Sequence, residues 1–289
     1  MHILVATDFS TRSQRALRRA AQLAQAKGAE LTLIKVVDED QPQRLVEMEM
    51  REAERTLGEL IGAMTELREV HCHPIVVGGD PFDGILRAAA AQRADIIVMG
   101  THRKQFLRDI FVGTTIERVI RAGGYPVLMV NNEVDGPYGT VLAPVDLSDA
   151  SANAIRAART MGLIDEAHLT ILHAFLPSTE GRMHMAGIDE YVSEERQEAK
   201  RELTRFLVKN DLGMLKSSLR LKEGGALEVI SDVVDQMGPD LLVIGTHGRS
   251  GLEKVLLGSV SEEVLRSLNV DILAVPPANR RASLQPGRE

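Results

Sequence analysis

The sequence predicts an α/β protein made of two tandem, doubly wound domains, each with a parallel sheet covered on both faces by helices. Two observations predict this fold class. The chain repeats itself once along nearly all of its 289 residues, and each copy alternates short apolar segments with longer amphipathic ones. Alternating strands and helices are typical of parallel sheets, and right-handed crossovers between parallel strands give doubly wound domains.

The repeat rests on matched segments. The segment from Ile3 to Ser10 recurs from Val141 to Ser148, 138 positions later. The segment from Ile97 to His102 recurs from Leu242 to His247, 145 positions later. The second offset also relates Gly113 to Gly258, Glu117 to Glu262 and Arg121 to Arg266. The change of offset from 138 to 145 indicates that the second copy has seven additional residues in its middle section.

The expected strands of the first copy are short and almost entirely apolar, as strands buried on both faces are. They are expected near residues 2–7, 30–37, 70–77, 95–100 and 127–130. The expected helices lie between them and present apolar residues at a period of about 3.6, as Ala16, Leu17, Ala20 and Leu23 do in the first helix. They are expected near residues 13–27, 43–68, 82–93 and 114–122.

The second copy repeats these elements from Thr140 to Val275, and the linker from Asn131 to Gly139 contains the turn-forming residues Gly136 and Pro137. We therefore expect an N-terminal domain over residues 1–131, a C-terminal domain over residues 138–276 and a polar tail over residues 277–289. The last strand of each copy is expected at a sheet edge, where the two strands could pair with each other.

Composition excludes several classes of function. The formal net charge is −7, no basic stripe is present, and the chain has three tyrosines and no tryptophan, so nucleic acid is not expected as a partner. No apolar run approaches the roughly 18 residues of a membrane span, so no membrane partner is expected. Cys72 is the single cysteine, so no intrachain disulfide can form and a cytoplasmic location is expected.

The most specific motif follows the fourth expected strand of the second copy. Gly245 and Gly248 are separated by two residues, Gly248 and Gly258 are separated by nine, and Ser259, Val260 and Ser261 follow. If the sheet winds outward from its first strand, the ends of the first and fourth strands are neighbours, and Asp146 faces the same crevice as this loop.

The residues of this crevice suit a nucleotide. Glycines let the backbone approach a phosphate, and the amides of Ser259, Val260 and Ser261 at a helix N-terminus attract anions. Arg249 and Lys254 add positive charge, and Asp146 can accept hydrogen bonds from ribose hydroxyls or help to hold a metal ion. A structural alternative is that Ser259 and Glu262 form a capping box for the helix.

These motifs resemble those of the universal stress proteins, whose nucleotide-binding members carry G-x2-G-x9-G-[ST]. Residues 245–259 match that pattern at every defined position. The resemblance implies a Rossmann-like fold related to the adenine nucleotide alpha hydrolases, binding of ATP or another adenine nucleotide (AMP or ADP), with Mg²⁺ as an accompanying ion, and a role in stress survival. It also implies that the two copies pack as an intrachain pseudo-dimer, and whole chains could in addition form a homodimer.

The same resemblance assigns the site residues. It implies that Pro144, Val145, Asp146 and Ala174 hold the adenine and ribose, with Ile244 and Gly245 nearby. It implies that the phosphates are held by Gly248, Gly258, Ser259, Val260 and Ser261. We expect Arg249 to bind the phosphates as well, because of its positive charge.

The first copy departs from the pattern. At the 145 offset, Arg103 replaces Gly248, Asp109 replaces Lys254 and Ile116 replaces Ser261. A side chain at the second glycine strains a left-handed backbone by on the order of 1 kcal/mol, and a carboxylate repels phosphate. We therefore expect weak or absent ATP binding in the first copy, although Asp8 matches Asp146.

Signals for catalysis are poor. The chain has no P-loop, zinc-protease or serine-hydrolase motif, so we expect no catalytic residue and favour binding over slow ATP hydrolysis. His71 and His73 share one face of a strand, as two metal ligands would, but no third ligand is evident, so no metal site is assigned. The leading hypothesis is a nucleotide-dependent regulatory or interaction module. The alternative is a small-molecule-binding protein or weak ATPase that uses the N-terminal crevice.

Overall fold

The structure is a computed structural model that describes residues 1–101, 114–122, 124–177, 188–213, 215, 217–247 and 257–278. In the first copy the strands are β1 (His2–Ala6), β2 (Glu30–Val37), β3 (Cys72–Gly78), β4 (Ile96–Gly100) and β5 (Val127–Val130). Its helices are α1 (Thr11–Lys27), α2 (Gln43–Ala63), α3 (Pro81–Ala91) and α4 (Thr115–Ala122). The predicted alternation of strands and helices is thus present.

One helix is shorter than expected. The helix predicted near residues 43–68 ends at Ala63, because Met64 has an extended backbone with φ −84° and ψ 116°. A 3-10 turn over Thr65–Leu67 follows. Met64 and Leu67 are buried, so their apolar side chains continue the helical pattern in the sequence although they belong to the turn into β3.

The second copy repeats the order of elements. Its strands are β6 (Thr140–Pro144), β7 (His168–Phe175), β8 (Ser217–Glu223), β9 (Leu241–Gly245) and β10 (Asp271–Val275). Its described helices are α5 (Asp149–Thr160), α6 (Ile188–Lys209), α7 (Ala226–Met237) and α8 (Ser259–Ser267). The matched strands β2 and β7 are 138 positions apart and β3 and β8 are 145 apart, so the seven additional residues lie between β7 and β8.

All ten described strands belong to one sheet with the order β3-β2-β1-β4-β5-β10-β9-β6-β7-β8. Within each copy the pairing is parallel, and the order reverses where β1 meets β4 and where β6 meets β9. The predicted fold class, two doubly wound α/β units with mostly parallel strands, is therefore confirmed.

The two copies join through their last strands. β10 pairs with β5 in antiparallel fashion, with Leu273 opposite Leu128 and Ile272 opposite Met129. The edge pairing expected from the sequence is thus present. Most buried apolar side chains form one large cluster on each face of the combined sheet, and both of these run through both copies, while Val37, Val46 and Ala53 form a third, small cluster in the first copy. Helices α1, α2, α5 and α6 contribute to one cluster, and α3, α4, α7 and α8 to the other.

Reciprocal ion pairs connect the copies at α4 and α8. Nε of Arg266 lies 3.0 Å from Glu117 Oε1, and Arg121 lies 3.3 Å from Glu262. Arg266 also pairs with Glu262 at 2.9 Å. Because 145 positions separate both glutamates and both arginines, the repeat pairs each residue with the equivalent of its partner, as a two-fold interface does.

We expect the ion pair between Glu117 and Arg266 to contribute a coupling free energy of about 1 kcal/mol to the stability of the protein. The Glu117 side chain is buried, but Arg266 is 48% exposed. A double-mutant cycle of Glu117→Gln and Arg266→Gln, measured by denaturant unfolding, tests this. The exposed pair of Asp83 and Arg87 within α3 is the matched control, with an expected coupling of about 0.5 kcal/mol or less. Equal coupling in the two pairs would contradict an interdomain role.

The linker is held by a buried polar cluster. Asp271, at the start of β10, is fully buried, and its carboxylate accepts hydrogen bonds from the amides of Asn131 and Asn132 at 2.8 and 3.0 Å. The Tyr138 hydroxyl donates to the second oxygen at 2.8 Å. Nε of buried Arg19 lies 3.8 Å from that oxygen, and its guanidinium stacks 4.0 Å from the centre of the Tyr138 ring. Helix α1, the linker and β10 are therefore tied together.

None of the described helices has the length and apolar character needed to cross a membrane. The polar tail predicted after Pro276 falls almost entirely outside the described residues, which end at Ala278.

Candidate ligand-binding site

A cavity of about 380 Å³ opens at the carboxyl ends of β6, β7 and β9, and we call it the C-terminal cavity. It lies where the strand order reverses, which is where open α/β sheets bind ligands. Its volume falls within the range of about 300–1,000 Å³ that is typical of sites for drug-sized ligands.

The cavity contains every predicted site residue that the structure describes. These residues are Pro144, Val145, Asp146, Ala174, Ile244, Gly245, Gly258, Ser259, Val260 and Ser261. The other two, Gly248 and Arg249, lie outside the described residues. The sequence motif and the strand reversal therefore lead to the same place in the fold.

Asp146 is placed by a strained turn between β6 and α5. Its Oδ1 accepts hydrogen bonds from the amide and hydroxyl of Ser148, at 3.1 and 2.6 Å. Ser148 in turn caps α5 by accepting from the Ser151 amide. Leu147, between them, has a φ of 64°, a left-handed conformation that costs about 1–3 kcal/mol in a residue other than glycine. Phe9, beside Asp8, has the same conformation with φ 65°, so both copies use this turn to place the aspartate.

The first turn of α8 is open toward the cavity. Gly258 is the N-cap and provides no side-chain hydrogen bond, so the capping box considered for Ser259 and Glu262 is absent. The amides of Ser259, Val260 and Ser261 have no intrahelical acceptors. The Ser261 hydroxyl donates to the carbonyl of Gly245 at 2.9 Å, which ties the helix to the end of β9. These amides form a positive, exposed site of the kind that binds phosphate.

Gly245 is required by packing as well as by the motif. A Cβ on this residue would lie 3.0 Å from the carbonyl carbon and oxygen of Ala150 in α5. At the matching Gly100, a Cβ would lie 2.4 Å from the Arg12 carbonyl oxygen in α1. The first glycine of the motif therefore lets a helix approach the end of the strand in both copies, including the copy with the altered loop.

His173 is a cavity residue that the sequence reasoning missed. It is 7% exposed, and its Nδ1 lies 2.8 Å from the carbonyl oxygen of Val145. A carbonyl only accepts, so Nδ1 carries a proton and donates it to this contact, and Nε2 lies on the opposite side of the ring. The signal available in the sequence was a histidine inside the largely apolar strand from Leu169 to Phe175. His247, noted as a recurring residue, also lines the cavity, and its Nδ1 lies 2.9 Å from Thr246 Oγ1.

The first copy has a smaller cavity of about 230 Å³ at the carboxyl ends of β1, β2 and β4, which we call the N-terminal cavity. Asp8 lies at this cavity as Asp146 does in the second copy, and Ile116 occupies the place of Ser261. The loop residues that differ from the motif, including Arg103 and Asp109, lie outside the described residues.

His71 and His73 lie edge to face with ring centres 4.2 Å apart. Within the described ranges, no group of three or more histidine, cysteine or acidic side chains is arranged to hold a metal ion. Burial raises the pKa of the neighbouring Cys72 thiol to about 12, which makes a thiolate ligand unfavourable at neutral pH.

The sequence profile of the universal stress protein family matches residues 1–131 and again residues 137–276. Universal stress protein E of Escherichia coli is 24% identical over 206 residues, which are 68% of this chain and 65% of that protein. The chain thus matches slightly less than two thirds of that relative. A universal stress protein of Methanocaldococcus jannaschii is 26% identical over 158 residues, covering 49% of this chain and 97% of that protein.

Two solved structures share the fold over nearly the whole chain. A universal stress protein from Archaeoglobus fulgidus has a TM-score of 0.67 at 20% identity, covering 95% of this chain and 98% of its own. A functionally unknown protein from Pseudomonas aeruginosa has a TM-score of 0.70 at 19% identity, covering 98% of this chain and 95% of its own. The tandem arrangement in one chain is therefore shared with known proteins.

Proposed function

Because this chain belongs to the universal stress protein family, we propose that it is a stress-response protein that binds ATP, or another adenine nucleotide, in its C-terminal cavity. Nucleotide occupancy then regulates its interactions with partners. The observation that carries this proposal is the convergence of Asp146, the open first turn of α8 and the end of β9 on one cavity of about 380 Å³.

Each part of the nucleotide has matching chemistry in the cavity. Apolar side chains, among them Ala174 and Ile244, suit the flat face of a base. The Asp146 carboxylate accepts hydrogen bonds from a ribose diol and can approach a Mg²⁺ ion carried by the phosphates. The phosphates fit the amides of Ser259 to Ser261, where the helix dipole favours negative charge. In the sequence, Arg249 and Lys254 add positive charge to the segment between Gly248 and Gly258.

The described cavity residues support binding more directly than catalysis. Phosphoryl transfer needs a group that positions the nucleophile and groups that neutralise the developing charge. Asp146 is engaged by Ser148, and the first turn of α8 supplies amides, which bind phosphate without activating water. We therefore propose that ATP acts as a bound effector and that any hydrolysis is slow.

Titration calorimetry with ATP tests the proposal, and we expect about one ATP per chain. Gly248→Arg, which introduces the residue that the first copy carries at position 103, should weaken ATP binding about tenfold or more, because a glycine lets the main chain approach a phosphate and a long side chain does not. Small molecules released from natively purified protein should include ATP, ADP or AMP, as measured by mass spectrometry.

Asp8→Ala is the control for this assignment, because Asp8 is the counterpart of Asp146 in the first copy. It should leave ATP stoichiometry unchanged. If Gly248→Arg has no effect and Asp8→Ala abolishes binding, the N-terminal cavity is the ATP site and the assignment is reversed. Repeated turnovers of ATP by the purified chain would contradict a binding role.

A further inference from the structure

Glu262 carries a negative charge in the helical turn that borders the C-terminal cavity. It directly follows the three residues whose amides face the cavity, Ser259 to Ser261. Its own amide donates to the carbonyl of Gly258 at 2.9 Å, which closes the first turn of α8. The positive end of the helix dipole attracts this carboxylate as it attracts a phosphate. Unless the carboxylate is neutralised, it repels a polyphosphate bound at the neighbouring amides.

Two arginines lie against this carboxylate, and they come from different copies. Arg266, one turn later in α8, lies 2.9 Å from Glu262 Oε1. Arg121, in the last turn of α4, lies 3.3 Å from the same oxygen. A cation of the first copy thus reaches across the junction to the first turn of α8. Together with Glu117, these side chains form a cluster of two glutamates and two arginines, which has no net charge.

Arg266 does not neutralise Glu262 alone, because it is shared with Glu117. Its Nε and Nη2 lie 3.0 and 3.3 Å from the two carboxylate oxygens of Glu117. The Glu117 side chain is 9% exposed, whereas that of Glu262 is 30% exposed. Because a buried carboxylate needs a counter-charge more than a partly exposed one does, Arg266 stabilises mainly Glu117. The remaining charge of Glu262 is then neutralised by Arg121.

We propose that Arg121, although it belongs to the first copy, is a positioning residue for the phosphates of a nucleotide in the C-terminal cavity. It acts through Glu262, whose charge it cancels, and so keeps the first turn of α8 attractive to a polyphosphate. This role rests on the proposed nucleotide binding. It gives the first copy a part in that function without requiring a ligand in the N-terminal cavity.

Calorimetric titration of the full chain with ATP and with adenosine tests this role. Arg121→Gln should weaken ATP binding about three- to tenfold at low ionic strength, because an uncompensated carboxylate then lies near the phosphates. Adenosine, which has no phosphate, should bind with unchanged affinity. The loss for ATP should shrink as salt is added, because salt screens the repulsion. Arg121→Lys, which keeps the charge, should retain most of the affinity for ATP.

A second substitution distinguishes the charge of Arg121 from its packing. In the double variant Arg121→Gln/Glu262→Gln, one positive and one negative charge are removed together, so the net charge of the cluster is restored. The affinity for ATP should therefore return to within about twofold of that of the unchanged chain. A purely structural defect would not be repaired by the loss of a second side chain. Thermal unfolding measures whether each variant is folded.

Arg118→Gln is the matched control, because it removes the same charge from the same helix. Arg118 lies 3.0 Å from Asp80 within the first copy, and both side chains are exposed. This substitution should leave the affinity for ATP unchanged. An equal loss in Arg118→Gln and Arg121→Gln would overturn the inference, because the overall charge of the first copy would then be responsible.

Three further results would overturn the inference while leaving the proposed function intact. They are an unchanged affinity for ATP in Arg121→Gln, an equal loss of affinity for ATP and adenosine in that variant, and a double variant that binds ATP as weakly as Arg121→Gln does. If the unchanged chain binds neither ATP nor adenosine, the proposed function itself fails. The two failures are therefore distinguishable in the same set of titrations.

Discussion

Replacing Asp146 with asparagine should weaken ATP binding by roughly 10- to 100-fold, because hydrogen bonds to a charged group contribute about 1.5–3 kcal/mol. The asparagine carbonyl oxygen can still accept from Ser148, whose amide and hydroxyl lie 3.1 and 2.6 Å from the aspartate Oδ1. The turn into α5 should therefore remain intact, and the change removes the charge offered to the ribose and to Mg²⁺. Calorimetric titration with ATP measures the affinity, and thermal unfolding measures the stability.

Asp8→Asn is the matched control for this prediction. Asp8 lies in the same turn of the first copy, where its Oδ1 accepts from the Ser10 amide at 2.9 Å. This substitution should leave ATP affinity unchanged. An equal loss of ATP affinity in both variants would indicate that the two cavities share the nucleotide, and an unchanged affinity in Asp146→Asn would remove Asp146 from the site.

Asp271→Ala should lower the free energy of unfolding by about 3–5 kcal/mol, the cost of removing one partner of a buried ion pair. The variant leaves the buried guanidinium of Arg19 without its counter-charge. It also removes the acceptor for the Asn131 and Asn132 amides and for the Tyr138 hydroxyl. Denaturant unfolding measures the change, and the calorimetric transition shows whether the two copies still unfold together.

Asp240→Ala is the control, because Asp240 holds the other end of the linker. Its Oδ2 accepts from the amides of Gly139 and Thr140, both at 2.8 Å, but the residue is exposed. Water can replace those contacts, so the expected loss is about 1 kcal/mol. Equal losses in the two variants would contradict the special role assigned to the buried cluster.

The pH dependence gives a second measurement of Asp271. Burial raises the pKa of Asp271 above its ordinary value, although hydrogen bonds from Asn132, Tyr138 and Asn131 and the charge of Arg19 act in the other direction. The folded protein thus keeps this proton to higher pH than the unfolded chain does. The stability that this bound proton adds is complete below about pH 3.9, the pKa of an unperturbed aspartate, and that part alone is lost as pH rises through the raised pKa, while the carboxylate keeps its contacts with the linker and Arg19. Asp271→Asn should remove this part of the pH profile.

Much of the fold could be predicted because it depends on local patterns. Apolar runs marked the strands, and the repeat itself fixed that both copies share one topology. The neighbouring positions of the first and fourth strands followed from the way doubly wound sheets grow. The pairing of Val127–Val130 with the strand from Asp271 followed from two unpaired edges. The end of α2 at Ala63 could not be predicted, because Met64 and Leu67 continue its apolar pattern in a different backbone conformation.

Site residues that belong to a sequence motif could be predicted, whereas those whose role depends on how they are packed could not. Glycine spacing indicated the loop and the first turn of α8, but it did not show that Gly245 makes room for α5. His173 was missed because strand alternation assigns it to the core face, and only the contact with the Val145 carbonyl shows how its ring is oriented. The role of Asp271 depends on a linker that no local pattern places beside β10.

The antiparallel pairing of β5 with β10 has a consequence for how the two copies can evolve. In separate chains, such an interface forms only at sufficient protein concentration, and a change in one subunit appears in both. A covalent connection supplies a high effective concentration, so the junction persists at any dilution. The sequence of each copy can then change independently. One copy can come to bind a different ligand while its last strand still pairs with the last strand of the other copy.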